Sequence, residues 1–466
     1  MGHALNKVLK DFVVRSQQML GHNSSYIPGW DCHGLPIEWK IEEQYREKGK
    51  DKDEVDIIQF RKECREFAKK WIDIQRSEFI RLGVTGDWFN PYTTMSYEAE
   101  STIVKEFFKF LENESLYRGS KPVMWSTVEK TALAEAEIEY KEHKSITIFV
   151  KFPVISLLEN NDVNTSVIIW TTTPWTIPAN RAIAFSKDIS YSIYSVDGLE
   201  ENSLLKEGEQ IIIADQLIDN VRTQCKIKEL TKIRAIKDLD QIICGHPFRD
   251  SGYDFEVKLF DADFVTLEQG SGFVHIAPGH GADDYNLGIA NNVEVPETVD
   301  ENGQYFDHVP LFKGKKVFND DGSDADANVA VIVELKNHNN LAGKGSLRHS
   351  YPHSWRSKAP VIFRNTPQWF ISMEKNGLRS TALNEIDKVN WFPKQGKNRI
   401  YSMIEDRPDW VVSRQRAWGV PLSIFYHIET GQPLMDKEIN QKIIDLYREE
   451  GSDAWFKYSK EELLGD

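Results

Sequence analysis

The feature of this sequence that most constrains its fold is a change of texture near residue 146. Before that point the chain is rich in helical patterns, such as the long amphipathic stretches over 60–82 and 97–116. From 146 to 350 the pattern is typical of strands separated by Gly, Asn and Asp turns. Helix and strand signals mix again after 350. We therefore predict an α/β domain over 1–145 and 351–466, interrupted by an inserted β-rich domain over 146–350.

Composition and charge exclude several classes of protein. The 466 residues include 57 Lys+Arg and 72 Asp+Glu, and a formal charge of −15 argues against a sequence-independent nucleic-acid coat, though not against a local basic groove. An apolar fraction of 40% and a charged fraction of 28% exclude a mostly disordered chain, a collagen and a disulfide-rich secreted scaffold. No apolar run reaches the roughly 18 residues that a membrane span needs. We expect a cytoplasmic enzyme that binds no membrane.

The four cysteines, Cys32, Cys64, Cys225 and Cys244, lie far apart in the sequence and form no Cys-x-x-Cys pair. This spacing argues against a disulfide framework. It also argues against a zinc site built from this chain alone, so no metal ligands are predicted.

Both ends of the chain look abrupt. A helical pattern over 4–20 begins immediately after Met1, with no strand before it. At the other end, a helical pattern over 441–451 is followed by no closing element before Asp466. We interpret the sequence as a piece of a longer protein that is truncated at both ends.

The first motif with chemical meaning is GHALN at 2–6, at the start of the first predicted helix. Backbone N–H groups at a helix N-terminus attract phosphate, Gly2 would let a phosphate approach the backbone, and His3 could donate to it. The alternative is a capping turn with an ordinary surface histidine. On this motif alone the alternative is favoured.

The second motif is YIPGWDCHGLPIE at 26–38, where two glycines and two prolines bracket Asp31 and His33. The pattern fits a strand that ends and places a carboxylate and an imidazole at a sheet edge, where open α/β sheets bind ligands. Asp31 could then pair with a substrate ammonium group. Equally, Asp31 could cap a following helix over 37–45.

The third motif is WTTTPWTIPAN at 170–180, which follows a predicted strand. Three consecutive threonine hydroxyls before a proline could bind a ribose or position a water molecule. The alternative is an ordinary threonine run at a strand end, because threonine favours strands and proline ends them. Taken by itself, that alternative is favoured.

The fourth motif is GSGFVHIAPGHGADDY at 270–285, which contains four Gly, two His and two Asp. No further ligand has metal-like spacing, so the cluster indicates water activation or substrate positioning rather than a metal centre. A Gly-rich loop with solvated charges is the weaker alternative, because the polar groups converge.

A fifth motif, DWVVSRQRAWGVP at 409–421, marks the return to the α/β domain. Arg414 and Arg416 could meet RNA phosphates or a substrate. A structural element of stacked arginine and tryptophan side chains explains the pattern equally well.

Together the first two motifs resemble those of the class I aminoacyl-tRNA synthetases, in particular the branched-chain subgroup of bacterial type. That family carries a His-x-Gly-His signature at the helix that grips ATP, and MGH at 1–3 matches its last three positions. The string GWDCHGLP at 29–36 is similar to the isoleucine-specific members, whereas valine and leucine members differ at the Cys-His pair. The resemblance implies that Gly2, His3 and Asn6 lie at the ATP site, with Mg²⁺ accompanying the nucleotide. It also implies that Asp31 and His33 belong to the catalytic site, where Asp31 holds the amino group of isoleucine.

The third and fourth motifs resemble the inserted domain of the same family, which hydrolyses mischarged tRNA. The resemblance implies that His275 contacts the terminal ribose or the hydrolytic water and that Asp284 binds the ammonium group of the misattached amino acid. The residues implied to line the editing pocket are Thr171, Thr172, Thr173, Trp175 and Asn180. Valine lacks one methylene of isoleucine, and a hydrophobic pocket gains only about 1–3 kcal/mol from that difference, a figure that comes from these synthetases themselves.

The resemblance covers essentially the whole chain, yet the Lys-Met-Ser-Lys-Ser loop of the family is absent from this sequence. It implies an incomplete Rossmann-type catalytic domain interrupted by a β-rich, barrel-like editing domain. The implied reaction is ATP-dependent attachment of isoleucine to tRNA(Ile) through an aminoacyl-adenylate, by a monomer, with hydrolytic editing of valyl-tRNA. We expect this chain alone to be nearly inactive in ligation and still able to deacylate valyl-tRNA. The alternatives are an editing-only deacylase, a valine–tRNA ligase and a non-catalytic RNA-binding protein.

Overall fold

The computed structural model describes residues 2–156 and 164–465 and divides the chain into two compact units. The split unit comprises Met1–Arg118 and Trp369–Asp466, and the central unit comprises Gly119–Gln368. The sequence predicted boundaries near 146 and 350 instead. The difference arises because the strands that precede and follow these positions are polar and lack the apolar alternation that marks a strand in sequence.

The helices of the described residues lie mostly in the split unit. They are α1 (Gly2–Met19), α2 (Leu35–Glu47), α3 (Ile57–Arg81), α4 (Tyr97–Glu112), α5 (Ile218–Gln224), α6 (Ala282–Ala290), α7 (Ala327–Asn337), α8 (Leu378–Lys388), α9 (Gln395–Glu405), α10 (Lys437–Glu450), α11 (Ala454–Lys457) and α12 (Lys460–Leu464). Within the described ranges, no helix is long and apolar enough to cross a bilayer.

The strands of the described residues lie mostly in the central unit. They are β1 (Gly29–Trp30), β2 (Tyr92–Thr93), β3 (Leu116–Ser126), β4 (Thr131–Ala132), β5 (Ile138–Ser156), β6 (Thr165–Thr171), β7 (Ala182–Phe185), β8 (Tyr191–Leu199), β9 (Gln210–Ala214), β10 (Ile227–Ile236), β11 (Ile243–Gly245), β12 (Glu256–Asp261), β13 (Val274–Ile276), β14 (Leu341–Ser354), β15 (Ile362–Ile371) and β16 (Trp410–Val411).

Helix ends follow local chemistry. The predicted helix over 60–82 begins three residues earlier, at Ile57, because the Asp56 side chain accepts a hydrogen bond from the Gln59 N–H (3.0 Å) and caps it. The helix predicted over 97–116 ends at Glu112, since Glu114 adopts a left-handed conformation (φ 59°) that a helix cannot continue through.

The central unit is built on one large sheet with the order β10-β8-β9-β6-β5-β11-β12-β7-β13, to which β14 adds by pairing with β5. The pairs β6–β9 and β7–β12 are parallel and the other pairs are antiparallel. A fully buried apolar cluster packs on the sheet around Ile168, Val196 and Ile211. The β-branched residues of β6 and β9 thus form the strands that their sequence predicts.

The split unit has a mixed α/β architecture. Its short parallel pair, β1 with β2, joins Gly29 to Tyr92 in register. Helices α2 and α3 pack beside it around Cys32, Phe60, Cys64 and the fully buried Trp418. The four cysteines of the chain are all buried and free. The fold of the chain is therefore mixed α/β with a β-rich central unit, as predicted.

Candidate functional site

A cluster of threonines lies where β6 ends in the central unit. The Thr171 hydroxyl accepts a hydrogen bond from the Thr173 N–H (3.1 Å) and lies 3.2 Å from the Thr173 hydroxyl. The chain then enters a short 3₁₀ helix, Pro174–Ala179, in which the Thr176 hydroxyl donates to the Thr173 carbonyl oxygen (2.8 Å). Pro174 at the start of this helix has no N–H to donate to a neighbouring strand, so β6 cannot continue through it.

His275 meets this threonine cluster from β13, where it pairs in register with Ile183 of β7. Its Nε2 lies 3.0 Å from the Thr176 hydroxyl. Because Thr176 already gives its one proton to a carbonyl, His275 must donate from Nε2. Burial lowers the pKa of His275 to about 4, with a smaller contribution from His280. His275 is therefore a neutral imidazole whose Nδ1 carries the lone pair.

Asn180 closes the other side of the His275 ring. Its wholly buried side chain donates from Nδ2 to the Ala182 carbonyl (2.8 Å), and Nδ2 lies 3.5 Å from His275 Nδ1. The Asn180 Oδ1 atom is buried and has no hydrogen-bond partner within the described ranges. A buried acceptor without a partner is costly, so this oxygen marks a place for a donor from water or a ligand.

Asp284 occupies the first turn of α6 and accepts a hydrogen bond from the Ala277 N–H at Oδ2 (2.8 Å). Burial raises the pKa of Asp284 to about 6; the Ala277 N–H opposes this shift and the Asp283 carboxylate adds to it. No cation pairs with Asp284 in the part of the chain that the structure describes. Gly281 leaves room for the carboxylate, since a Cβ there would lie 3.0 Å from Asp284 Cγ. A ligand ammonium group would provide the missing positive charge.

The predicted residues differ in how directly they join this cluster. Hydrogen bonds connect Thr171 to Thr173, Thr173 to Thr176, and Thr176 to His275. Asn180 contacts the other ring nitrogen of His275. Asp284 is held by the backbone N–H of Ala277, which lies two residues after His275 in the sequence. The half-buried Thr172 makes no hydrogen bond through its hydroxyl to any described residue.

Trp175 is fixed by groups outside the cluster. Its N–H donates to Asn328 Oδ1 (3.0 Å), its carbonyl accepts from the Tyr305 hydroxyl, and its ring packs edge-on against His280 at 4.7 Å. His280 in turn donates from Nδ1 to the Phe363 carbonyl (2.8 Å). Trp175 and His280 thus shape the surroundings of the cluster without a hydrogen bond to it.

Sequence reasoning missed Thr176, the residue that connects the threonines to His275. The signal that could have found it is its position three residues after Thr173, since side chains at i and i+3 of a 3₁₀ helix eclipse one another.

The loop after β1 forms a second candidate site, in the split unit. Asp31 is exposed and follows Trp30 directly, as the sequence predicts for a sheet edge. Its Oδ1 accepts from the Thr94 hydroxyl (3.3 Å), and Thr94 accepts from the Cys32 N–H (2.8 Å). Helix α2 begins after Gly34 with no side-chain cap, so the interpretation of Asp31 as a helix cap is wrong.

A buried ionic network holds His33 in this loop. His33 Nε2 and Arg65 Nη2 both lie 3.1 Å from Glu100 Oε1, and the Ser452 N–H donates to Glu100 Oε2 (2.7 Å). Burial acts to raise the pKa of the fully buried Glu100, but the bond from His33 and the charge of Arg65 outweigh it and hold the pKa below the usual 4.5. Glu100 is therefore an anion that orients the His33 ring.

Trp418 clamps the same loop from a segment almost 400 residues away in sequence. Its indole Nε1 donates to the Cys32 carbonyl (2.7 Å), and its own carbonyl accepts from the Gly34 N–H (3.1 Å). The buried Glu38 carboxylate accepts from the Trp418 N–H (3.2 Å). The fifth sequence motif includes Trp418, but the sequence predicts no role for this residue because its partners are remote in the chain.

Gly2 and His3 lie in the first turn of α1 and Asn6 in the second, and all three are exposed to solvent. The first turn carries no acidic residue, and a Cβ on Gly2 would touch nothing within 4 Å. Met1, which the sequence motif includes, lies outside the described residues.

Two further predictions concern metals and arginines. Among residues 2–156 and 164–465, no group of three or more His, Cys, Asp or Glu is arranged to hold a metal ion. Arg414 donates from Nη1 to the carbonyls of Val411 (2.9 Å) and Ser413 (2.8 Å), which favours the structural interpretation for this residue.

The whole chain, residues 1–466, matches the family described as tRNA synthetases class I (I, L, M and V). It is 53% identical over 468 residues to the isoleucine–tRNA ligase of Pelagibacter ubique and 51% identical over 498 residues to that of Bradyrhizobium diazoefficiens. It is also 51% identical over 485 residues to the isoleucine–tRNA ligase of Caulobacter vibrioides. Each alignment covers 100% of this chain and 50% of the relative, so the chain spans about half the length of these relatives.

Proposed function

Since the chain belongs to the class I tRNA synthetases, we propose that its central unit hydrolyses tRNA to which the wrong amino acid is attached. The substrate is the ester between valine and the terminal ribose of tRNA(Ile). Water attacks the carbonyl carbon, the bond to the ribose oxygen breaks, and valine leaves as a carboxylic acid while the ribose hydroxyl regains a proton.

The observation that supports this proposal best is Asp284, a half-buried carboxylate with a raised pKa and no cation partner in the described chain. An esterified amino acid keeps a free ammonium group, which is the charge that such a carboxylate binds. Free valine carries a carboxylate as well, whose repulsion from Asp284 would favour its release.

The threonine cluster and His275 provide the rest of the chemistry. Neutral His275, fixed by Thr176, can hold the attacking water or the ribose hydroxyl without a charge of its own. The free Asn180 Oδ1 accepts a hydrogen bond from the same water or hydroxyl. Such positioning accounts for catalysis by orientation and by hydrogen bonding rather than by a strong base.

A second proposed function lies in the split unit and rests on the exposed Asp31 in a loop braced by Glu100 and Trp418. We propose that Asp31 binds the ammonium group of isoleucine, the amino acid named by the relatives, for its activation and transfer to tRNA(Ile). ATP would supply the phosphate that makes the amino-acid carboxylate reactive. Gly2 and His3 would hold its phosphates by N–H groups, and Mg²⁺ would be bound by the nucleotide and water, because the first turn of α1 has no acid.

The two proposals separate in one experiment. The purified chain is incubated with valyl-tRNA(Ile) to measure valine release and, in a second reaction, with isoleucine, ATP and labelled pyrophosphate to measure exchange. We expect valine release, and we expect Asp284→Ala to reduce it by about 100-fold because the ammonium loses the carboxylate proposed to bind it. Exchange by this chain alone is expected to be nearly absent, because the sequence lacks the Lys-Met-Ser-Lys-Ser loop, so the second proposal is tested by the binding of isoleucine.

The matched control is Asp283→Ala, which removes the exposed neighbouring carboxylate on the same turn of α6. It is expected to change valine release by less than about threefold. Equal losses in both variants, or no release by the unaltered chain, would refute hydrolysis by the central unit. Retained tRNA binding without release would favour an RNA-binding protein instead.

A further inference from the structure

The segment that enters α9 in the split unit has an unusual charge pattern for so acidic a chain. Residues 388–404 contain four cations and no Asp or Glu, in a protein with a formal charge of −15. Lys388 pairs with Glu385 (2.7 Å) and Lys397 pairs with Asp387 (2.9 Å). Lys394 and Arg399 are exposed and make no ion pair with any residue that the structure describes.

One face of α9 presents hydrogen-bonding groups at regular spacing, and the exposed Met403 borders it. Gln395, Asn398, Arg399 and Ser402 follow the positions i, i+3, i+4 and i+7 of the helix and are all exposed. We call these four residues with Lys394 the α9 stripe. At 1.5 Å per residue the stripe extends about 10 Å, enough to follow two or three consecutive phosphates of one strand.

An aromatic side chain stands at the start of the stripe. Phe392 is fully exposed, at 101% of its reference area, which is the largest value among the exposed apolar side chains of the described residues. Its neighbour Trp391 is anchored, because the indole N–H donates to the Ile386 carbonyl (3.0 Å). The turn is thus held in place while Phe392 projects into solvent, where it can stack on a nucleobase.

We propose that the α9 stripe and Phe392 form an RNA-binding surface that contacts the sugar-phosphate backbone and stacks on one unpaired base. Amide, hydroxyl and guanidinium groups are the side chains that bind phosphate oxygens in nucleic-acid complexes. A lipid surface would require a broad apolar face on the same helix side, and here that side is polar. The inference depends on the proposed function in one respect, namely that the RNA bound at this surface is the substrate of the proposed reaction.

The test is fluorescence anisotropy of a short labelled RNA hairpin with a single-stranded CCA end, titrated with the full chain at several salt concentrations. The variant Lys394→Ala/Arg399→Ala removes the two unpaired cations. Its plot of log affinity against log salt should be less steep by about 2, and its affinity at about 0.1 M salt should fall at least tenfold.

The control Lys69→Ala/Lys70→Ala makes the same charge change at two exposed residues of α3 and should leave the slope unchanged. Phe392→Ala should weaken binding of the CCA-ended hairpin about fivefold and leave a blunt hairpin unaffected. These three results support the surface. Equal losses in both double variants, or no loss in Lys394→Ala/Arg399→Ala, would overturn it, as would binding of that region to anionic vesicles but not to RNA.

Failure of this inference differs from failure of the proposed hydrolysis. If the hairpin binds through the stripe and valine is not released, the hydrolysis proposal fails and the surface stands. If valine is released normally by Lys394→Ala/Arg399→Ala and hairpin affinity is unchanged, the surface is wrong and hydrolysis stands.

Discussion

The two candidate sites are held in place by different kinds of interaction. In the split unit, the loop with Asp31 and His33 is braced by a buried carboxylate, an arginine and an indole that come from distant parts of the sequence. In the central unit, the site around His275 is built from uncharged hydroxyl, amide and imidazole groups at neighbouring strand ends. From this difference we expect the residues that brace the first site to contribute strongly to the stability of the fold, and those around His275 to contribute mainly to activity.

Removing the buried anion of the split unit is the strongest way to break this comparison. Glu100→Gln removes the buried anion that pairs with Arg65, whose other carboxylate, Asp453, lies farther away at 3.8 Å, and should cost about 3 kcal/mol of the free energy of unfolding. Since the pKa of Glu100 is lowered in the folded state, its stabilisation is fully present above pH 4.5, the ordinary value, and is lost as the pH falls below 4.5 through the lowered pKa. Urea denaturation at pH 7 and pH 4 measures both effects.

The control is Glu98→Gln, an exposed position on the first turn of the same helix, expected to change stability by less than about 0.5 kcal/mol. If Glu100→Gln and Glu98→Gln lose the same free energy of unfolding, the buried Glu100 does not brace the loop of the first site.

In the central unit the expected loss is of activity and not of fold. Thr176→Val keeps the side-chain shape and leaves the His275 N–H without an acceptor, a penalty of roughly 1–3 kcal/mol in placing the ring. We expect valine release to fall about 10- to 100-fold, measured with labelled valyl-tRNA, while the melting temperature falls by only a few degrees. Thr231→Val, at an exposed position on β10, is the matched control. A parallel loss of melting temperature and activity would show that the second site is also coupled to stability.

The pH dependence sharpens the same contrast. With a pKa of about 6, Asp284 is neutral below that pH and cannot pair with an ammonium group. Valine release should therefore rise about tenfold per pH unit up to pH 6, level off above it, and fall again when the substrate ammonium loses its proton at about pH 8. His275, with a pKa of about 4, adds no second step near neutrality. A rate profile of Asp284→Asn that keeps the step at pH 6 would assign it to another group.

The smallest expected effect concerns the exposed end of the braced loop. Asp31→Asn should change the free energy of unfolding by less than about 0.5 kcal/mol, because Asp31 is exposed and its neighbours keep their partners. Calorimetry with isoleucine should nonetheless show weaker binding than to the unaltered chain. A large loss of stability would mean that Asp31 belongs to the brace and not to a ligand site.

Local sequence signals predicted the elements that local forces determine. The apolar β-branched runs of β6 and β9 and the capped start of α3 are readable because neighbouring residues decide them. The polar strands β3 and β14 could not be predicted in this way, because hydrogen bonding to neighbouring strands, and not their own residue pattern, makes them strands.

The sites divide in the same way. The threonine run and the Asp31 loop stand out in the sequence because their residues are adjacent. The contacts of Glu100 with His33 and of Trp418 with Cys32 join residues 67 and 386 positions apart, and no spacing in the sequence marks them. Long-range packing chooses such partners, so they become visible only in the folded chain.

The most direct test of the central claim is the ratio of deacylation rates for valyl-tRNA(Ile) and isoleucyl-tRNA(Ile) on the purified chain. A pocket that binds the ammonium through Asp284 beside a fixed His275 and accepts only the smaller side chain predicts release of valine at least about 10-fold faster than isoleucine. Equal release of the two amino acids, or release that persists unchanged in Asp284→Ala, would contradict it.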